Sequence, residues 1–195
     1  TSPIDKNCWY SSDTALITLD NCRIPEDHLL GPLNGGLKLL TDNLNEGRVT
    51  YAAHCYGIAE GCFDGALEYV HQRTAFGKRV ADFQNTQFKL AEMKMKLDAA
   101  ELLLFRAASN ADNQRLDAAE TSIAKAYCNE TGFSVSSEAM QIMGGAGYSQ
   151  DNLVEYCFRR TRGWMIAGGS VEIMKNRIAE DIFDRRFPQR PTPTT

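Results

Sequence analysis

The sequence has no surplus of positive charge: 21 Lys and Arg face 25 Asp and Glu, for a formal charge of −4. A nucleic-acid or anionic-membrane surface would require a basic face, so neither partner is expected. No apolar run approaches the roughly 20 residues that cross a bilayer. No charged, apolar, small-residue leader opens the chain, and a soluble protein without membrane insertion is expected. The six cysteines (Cys8, Cys22, Cys55, Cys62, Cys128 and Cys157) contain no Cys-x-x-Cys pair, which removes the common zinc and redox spacings. They read as reduced thiols, several at helix positions where any small apolar residue would serve, and this favours cytoplasm or mitochondrial matrix. A G-x-S-x-G elbow, a G-x-x-x-x-G-K-[ST] phosphate loop and internal repeats are all missing, so the chemistry those motifs carry is not expected. Histidine is scarce, with three residues; His54 and His71 read as packing or surface groups, and no metal site is expected.

What is present suits one well-packed domain, since 195 residues at 43% hydrophobic content can bury a core. Thr14 to Asp20 alternates as a strand does, with Ala15, Ile17 and Leu19 on one face. No preceding element offers it a partner, and one or two strands are not stable alone. The stretch "RIPEDHLLGPLNGG" then breaks the chain with proline and glycine. Beyond Gly36 the periodicity is helical. Helices are expected at about Leu37–Arg73, Asp82–Asn110, Asp117–Met143, Asn152–Arg162 and Ser170–Phe183. Leu90, Met93, Leu97, Ala100 and Leu104 form an apolar seam suited to a bundle, and Asp117 with Glu120 has the spacing of a capping box. Gly47, Gly57, Gly61 and Gly65 each cost about 1 kcal/mol relative to alanine inside a helix, a cost that close helix packing is expected to offset. The tail "PQRPTPTT" has too little apolar content to fold.

Two stretches between helices carry candidate chemistry. "QIMGGAGYSQDN" holds Gly144, Gly145 and Gly147, which permit positive φ and close backbone approach by a ligand; by itself it reads first as a helix cap and tight connection. "HQRTAFGKRVADFQNTQ" offers the Arg73 fork for a phosphate, Phe76 as a flat surface for a ring, and the amides of Gln84 and Gln87.

With "EYVHQRTAFGKRVADFQNTQFKLAEM", "AMQIMGGAGYSQDNLVEYCFRRTR" and "IAGGSVEIMKNRIAE" in this order, the chain resembles the acyl-CoA dehydrogenase family over nearly all its length. "SSDTALITLDNCRIPEDHLLG" resembles the end of that family's middle β-domain. The resemblance implies a mainly α fold, an antiparallel four-helix bundle with short flanking helices, preceded by a remnant of a β-domain. Residues 1–30 would be that remnant, 31–187 the bundle domain and 188–195 a disordered tail. Family chains are usually about twice as long, so the expectation is a processed piece, or a protein whose other parts lie on another polypeptide.

The resemblance also implies FAD shared across a dimer interface. Arg73, Phe76 and Gln84 would reach the dinucleotide of the neighbouring subunit, and Gln141, Gly144 and Gly145 would contribute to the same cofactor. Ser170 and Glu172, at the start of the last helix, would contact the chain's own flavin, where a helix N-terminus suits anionic groups. The implied reaction is 2,3-dehydrogenation of an acyl-CoA thioester, with an electron-transferring flavoprotein or similar acceptor and a homo- or hetero-oligomer of two or four chains.

Against this pattern, both usual positions of the catalytic base are glycine. One is Gly168 in "IAGGS"; the other, set by the arginine-to-phenylalanine spacing that makes Arg48 the family arginine, is Gly47. Glu46 is the neighbouring carboxylate, but a one-residue shift turns a side chain by about 100° on an ideal helix. Arg160 stands where the family has aspartate, which leaves local packing open, and Arg159, Arg160 and Arg162 read as a solvated face or, alternatively, a contact for CoA phosphates. Arg48 is expected in a structural ion pair. Three readings follow: an acyl-CoA dehydrogenase with Glu46 or an unseen group as base, a base-less partner subunit that supplies flavin contacts only, and a cofactor-free helical interaction module.

Overall fold

The computed structural model describes residues 2–113 and 115–188. The elements run β1 (Ser2–Pro3), β2 (Ala15–Leu16), α1 (Gly36–Gln72), β3 (Thr74–Ala75), β4 (Lys78–Arg79), α2 (Gln84–Asp112), α3 (Ala118–Met143), α4 (Gly145–Tyr148), α5 (Leu153–Trp164) and α6 (Val171–Ile182). The expected tail, residues 188–195, lies outside the described residues apart from Pro188.

Helices α1, α2, α3 and α5 form the four-helix bundle. Short connections force α1, α2 and α3 to alternate in direction. One core cluster joins Ala59, Cys62 and Ala66 of α1, Met93 and Leu97 of α2, Val135, Ala139 and Met143 of α3, and Val154 and Cys157 of α5. A second joins Ala52 and Cys55, Ala100 and Leu104, and Cys128 further along. The seam read on α2 is therefore the buried face. Helix α3 is buried on nearly every side, which is why small residues (Ala, Ser, Cys, Gly) fill it. Its polar side chains are paired across the core, as where Ser136 and Thr161 hydroxyls meet at 2.9 Å.

Caps set the helix starts. Asp117 Oδ1 accepts from the Glu120 amide at 2.7 Å, and Asn152 Oδ1 from the Val154 amide at 3.0 Å, satisfying donors the helix cannot. Only half of the expected capping box forms. The Glu120 carboxylate turns instead to Arg106 at 2.8 Å and to Asn110 Nδ2 at 2.8 Å.

Two expectations fail. Among the described residues, Gly57 and Gly61 of α1 have nothing within 4 Å of an added Cβ, and Gly65 meets Val154 alone at 3.8 Å, so close packing between these helices does not offset their cost. The close approach is at Gly132 of α3, where a Cβ would meet the Cys55 carbonyl at 3.2 Å and Thr161 at 3.4 Å. The expected strand is also short: β2 is Ala15–Leu16, and Ser2–Pro3 supplies the antiparallel partner that the sequence did not suggest. Ile17 and Leu19 beyond it are 69% and 75% exposed, an apolar strand face with nothing packed on it among the described residues.

The amino-terminal segment is held against α5. Trp9 meets Trp164 edge to face at 4.9 Å, and Arg159 donates to the Asn7 carbonyl at 2.8 Å and to Tyr10 Oη at 3.0 Å.

Candidate functional site

The link between α1 and α2 is a tight hairpin. Thr74–Ala75 pairs antiparallel with Lys78–Arg79, leaving Phe76 and Gly77 as the two-residue turn, with φ of 51° and 81°. Positive φ at both central residues matches the right-handed strand twist; glycine adopts it freely, while a phenylalanine there is strained. That ring is 97% exposed. Arg73 closes α1, its amide bonded to the Tyr69 carbonyl at 2.8 Å and its carbonyl to the Val80 amide at 2.9 Å, and its guanidinium is exposed. Gln84, exposed, opens α2.

The glycine turn lies at this same end, because Tyr69 of α1 and Ile142 of α3 pack on one cluster with Met143. Gly144 caps α3 at φ 59° and ψ −136°, and α4, a single turn that the sequence reading missed, follows at once. A Cβ on Gly144 or Gly145 would meet nothing within 4 Å. Gln141 is exposed beside them. The bare backbone is thus open to a ligand, while Gly147, where a Cβ would fall 2.9 Å from the Met140 carbonyl, serves packing.

The other expected contacts sit at the opposite end. Arg48 and Arg73 are separated by roughly 35 Å of α1 at 1.5 Å rise per residue, and Gly169 lines a cavity with Arg48. Ser170 caps α6, Oγ accepting from the Ile173 amide at 3.4 Å. Glu172, exposed in the first turn of α6, is held below its ordinary range by its own backbone amide and by Ser170.

The turn before α6 hangs on two buried donors that the sequence reading missed. Lys125 of α3, with no exposed surface, donates Nζ to the Gly169 carbonyl at 2.7 Å and reaches the Trp164 carbonyl at 3.4 Å. Asn129, one turn on, donates to that Trp164 carbonyl at 2.6 Å. A lone lysine amid alanine, serine and cysteine in "SIAKAYC" was the available signal. Tyr51 was missed too. Its ring stacks on Trp164 at 5.2 Å, and a Cβ on Gly168, at φ 66°, would fall 2.4 Å from that ring.

Burial pushes the Lys125 ammonium down from 10.5 to about 8, and pushes the thiols of Cys55 and Cys128 up from 9.0 to about 12. The unfolded chain holds the lysine proton longer than the folded one, so stability rises with pH from about 8. The folded chain holds the thiol protons longer, so stability falls above about 9. A melting series across alkaline pH should therefore peak between these two values, and a monotonic fall through that window would contradict the lysine assignment.

Glu46 is exposed on α1 and is not among the residues lining the cavity of about 830 Å³ between the start of α1 and α6, where Thr41, Arg48, Gly169, Ile173 and Arg177 meet. Arg48 is buried, and its expected ion pair is not found among the described residues. It donates to Asn45 at 2.7 Å and to Ser122 at 3.4 Å, and Nε lacks a partner. Burial and nearby Arg177 hold it below its ordinary value.

The arginine cluster divides. Arg159 grips Glu155 in a two-pronged pair at 2.6 and 2.9 Å besides the amino-terminal segment, so it is neither a solvated group nor a free anion contact. Arg160 reaches the Tyr156 hydroxyl at 3.4 Å, and its buried Nε has no partner among the described residues. Arg162 is exposed.

His54 lies tilted against Trp164 with ring centroids 5.4 Å apart, and His71 is exposed. Glu68 and His71 have Glu-x-x-His spacing, but a di-metal bundle needs two such pairs and further carboxylates. No group of three metal-binding side chains occurs among the described residues, and all six cysteines are free. A larger cavity of about 890 Å³ follows the bare glycines of α1 toward Met143, Val154 and Cys157.

Fold and site together define an up-and-down helical bundle whose exposed chemistry is split between its two ends. The family model for the acyl-CoA dehydrogenase C-terminal domain matches residues 34–183. The chain belongs to the acyl-CoA dehydrogenase family, whose members use FAD. It is 38% identical over 172 residues to the short/branched chain specific acyl-CoA dehydrogenase of Rattus norvegicus mitochondria, covering 88% of this chain and 40% of that one. It is 36% identical over 166 residues to a subunit of the caffeyl-CoA reductase-Etf complex of Acetobacterium woodii, covering 85% and 44%. The solved acyl-CoA dehydrogenase of Geobacillus kaustophilus superposes with a TM-score of 0.90 at 32% identity, over 93% of this chain and 48% of that one. The chain thus spans less than half the length of these relatives.

Proposed function

We propose that this chain is the carboxy-terminal part of a flavin-dependent acyl-CoA dehydrogenase, and that it touches two FAD molecules. The observation that carries this reading is the separation of the candidate groups. Arg73, Phe76, Gln84, Gln141, Gly144 and Gly145 share one end, while Ser170 and Glu172 lie at the other, roughly 35 Å away along α1. One dinucleotide does not span both sets on one chain, so each set serves a different protomer's cofactor. Residues 1–30 are the end of a β-domain, whose remainder covers the exposed face of Ile17 and Leu19, and 31–187 are the bundle domain.

The residues fit the cofactor. The Arg73 fork suits a pyrophosphate or phosphate oxygen pair, the exposed Phe76 ring a flat heterocycle, and the open Gly144–Gly145 backbone close approach. The start of α6 turns the positive end of a helix toward an anionic or electron-rich edge, with its Val171 and Ile173 amides already bonded to the Met165 carbonyl and Ser170 Oγ. Bound there, the flavin supplies hydride acceptance from a carbon β to a thioester. The partners proposed are an acyl-CoA, an electron-transferring flavoprotein or similar acceptor, and further copies or a related chain, in cytoplasm or mitochondrial matrix.

If the chain supplies its own base, Glu46 is the candidate carboxylate. The second reading, a base-less partner subunit that supplies flavin contacts, is favoured by Gly47 and Gly168 and by the outward placement of Glu46. Glu46→Gln in the full-length protein, assayed with an acyl-CoA and an electron acceptor, separates the two: turnover lost names Glu46, turnover unchanged removes it. The shared-cofactor reading is tested by Arg73→Ala, which should weaken flavin binding to the full-length assembly roughly tenfold, the worth of one charge-assisted hydrogen bond. Unaltered affinity would remove Arg73 from the site.

A further inference from the structure

Gly47 and Gly168 are 121 positions apart in sequence by their numbers, yet one side chain stands against both. A Cβ on Gly168 would fall 2.4 and 2.5 Å from Tyr51 Cε2 and Cδ2, and a Cβ on Gly47 would fall 3.3 Å from Tyr51 Oη. Tyr51 is one turn beyond Gly47 on α1, and its ring is fixed by stacking on Trp164 at 5.2 Å. The Trp164 carbonyl is in turn held by Asn129 at 2.6 Å and reached by Lys125 at 3.4 Å. The half-buried Tyr51 hydroxyl has no hydrogen-bond partner among the described residues.

We propose that Tyr51 is the specificity-determining residue of the acyl site: its ring fills the space beside Gly168 and its hydroxyl the space beside Gly47, so a phenol stands where the family resemblance puts a carboxylate. This rests on the flavin-dependent reading above. The consequence for chemistry is direct. A carboxylate at either position would accept an α-proton, whereas the phenol O–H of Tyr51 is a hydrogen-bond donor. The Tyr51 O–H therefore binds a carbonyl or hydroxyl oxygen of the acyl thioester and holds it without abstracting a proton. The ring also explains why a carboxylate cannot return by one substitution. Position 168 is at positive φ, strained for any side chain, and its Cβ would lie inside contact distance of an aromatic ring already stacked.

The test uses the full-length protein, butyryl-CoA as probe, and calorimetric titration beside flavin absorbance and thermal melting. Tyr51→Phe keeps the ring and removes only Oη, so melting and flavin content should hold while butyryl-CoA affinity falls about two- to tenfold, the span of one hydrogen bond. Gly168→Ala should lower the melting point more beside Tyr51 than in a Tyr51→Ala background, since the ring is what the new Cβ meets. A flavin-loaded protein whose butyryl-CoA affinity is the same with Tyr51→Phe overturns this proposal alone, as does an equal cost of Gly168→Ala in both backgrounds. A protein that binds no flavin overturns it together with the reading beneath it.

Discussion

Lys125→Ala should destabilise the chain by about 3 kcal/mol, a fall in melting temperature of roughly 6–12 °C for a domain of this size, whereas Lys125→Met should leave stability within about 1 kcal/mol of the starting value. The difference comes from opposing contributions of similar size. The depressed lysine, down from 10.5 to about 8, records a burial cost of about 3 kcal/mol for its charge, which either substitution relieves. Both substitutions also remove the bond to the Gly169 carbonyl at 2.7 Å, worth about 1.5–3 kcal/mol for a charged donor. Methionine nearly matches the lysine stem in volume, so these two contributions almost cancel. Alanine adds a cavity in a site with no exposed surface, and that addition decides the outcome. The Trp164 carbonyl keeps Asn129 in either variant, so it does not contribute to the difference. Thermal melts at neutral pH measure the contrast; equal losses for the two variants would show that the hydrogen bond, not the packing, dominates. Lys125→Met should also abolish the rise in stability above about pH 8.

Gly132→Val should cost about 3 kcal/mol. The added Cβ meets the Cys55 carbonyl at 3.2 Å, the Cys55 Cβ at 3.4 Å and Thr161 at 3.4 Å, which are one helix backbone and two packed side chains from α1 and α5. A helix backbone cannot step aside as a side-chain tip can, so α1 or α5 must shift relative to α3, and both core clusters are strained with it. Gly57→Ala is the natural control, because its Cβ meets nothing within 4 Å and should recover about 1 kcal/mol of helix propensity. Denaturant midpoints of the two variants check the pair. Similar costs at both positions would contradict the assignment of the α1–α3–α5 crossing to Gly132.

The sequence made the helices legible because each leaves a periodic apolar pattern and a capping residue; Asp117, Asn152 and Ser170 mark three starts to within a residue or two. What it could not give was which glycine is buried. A glycine costs the same propensity whether it faces a neighbouring backbone or open space, so "GIAEGCFDG" on α1 suggested close packing that the structure places at Gly132. The strand near Thr14 was misjudged for a related reason. Alternation reports a face to be covered, but Ile17 and Leu19 are exposed here, and only Ala15–Leu16 finds a partner.

Candidate contacts on local turns were legible in kind, since Arg73, Phe76 and the Gly144–Gly145 turn are each defined by a few adjacent residues. That they gather at one end, with Ser170 and Glu172 at the other, follows from the up-and-down path of the helices. Tyr51 was not legible at all. Its significance arises from two glycines distant in sequence, and no local pattern joins them. The ion pair expected for Arg48 failed because burial among Asn45 and Ser122 supplied neutral partners that charge counting does not register.

The central claim is that each chain of this protein lends its two ends to the flavins of an assembly. The most direct measurement is flavin content per chain in the purified full-length protein, read from visible absorbance, with the Arg73→Ala variant alongside. Stoichiometric flavin, diminished when Arg73 is lost, is the predicted result. A colourless full-length assembly that takes up no added FAD would contradict it.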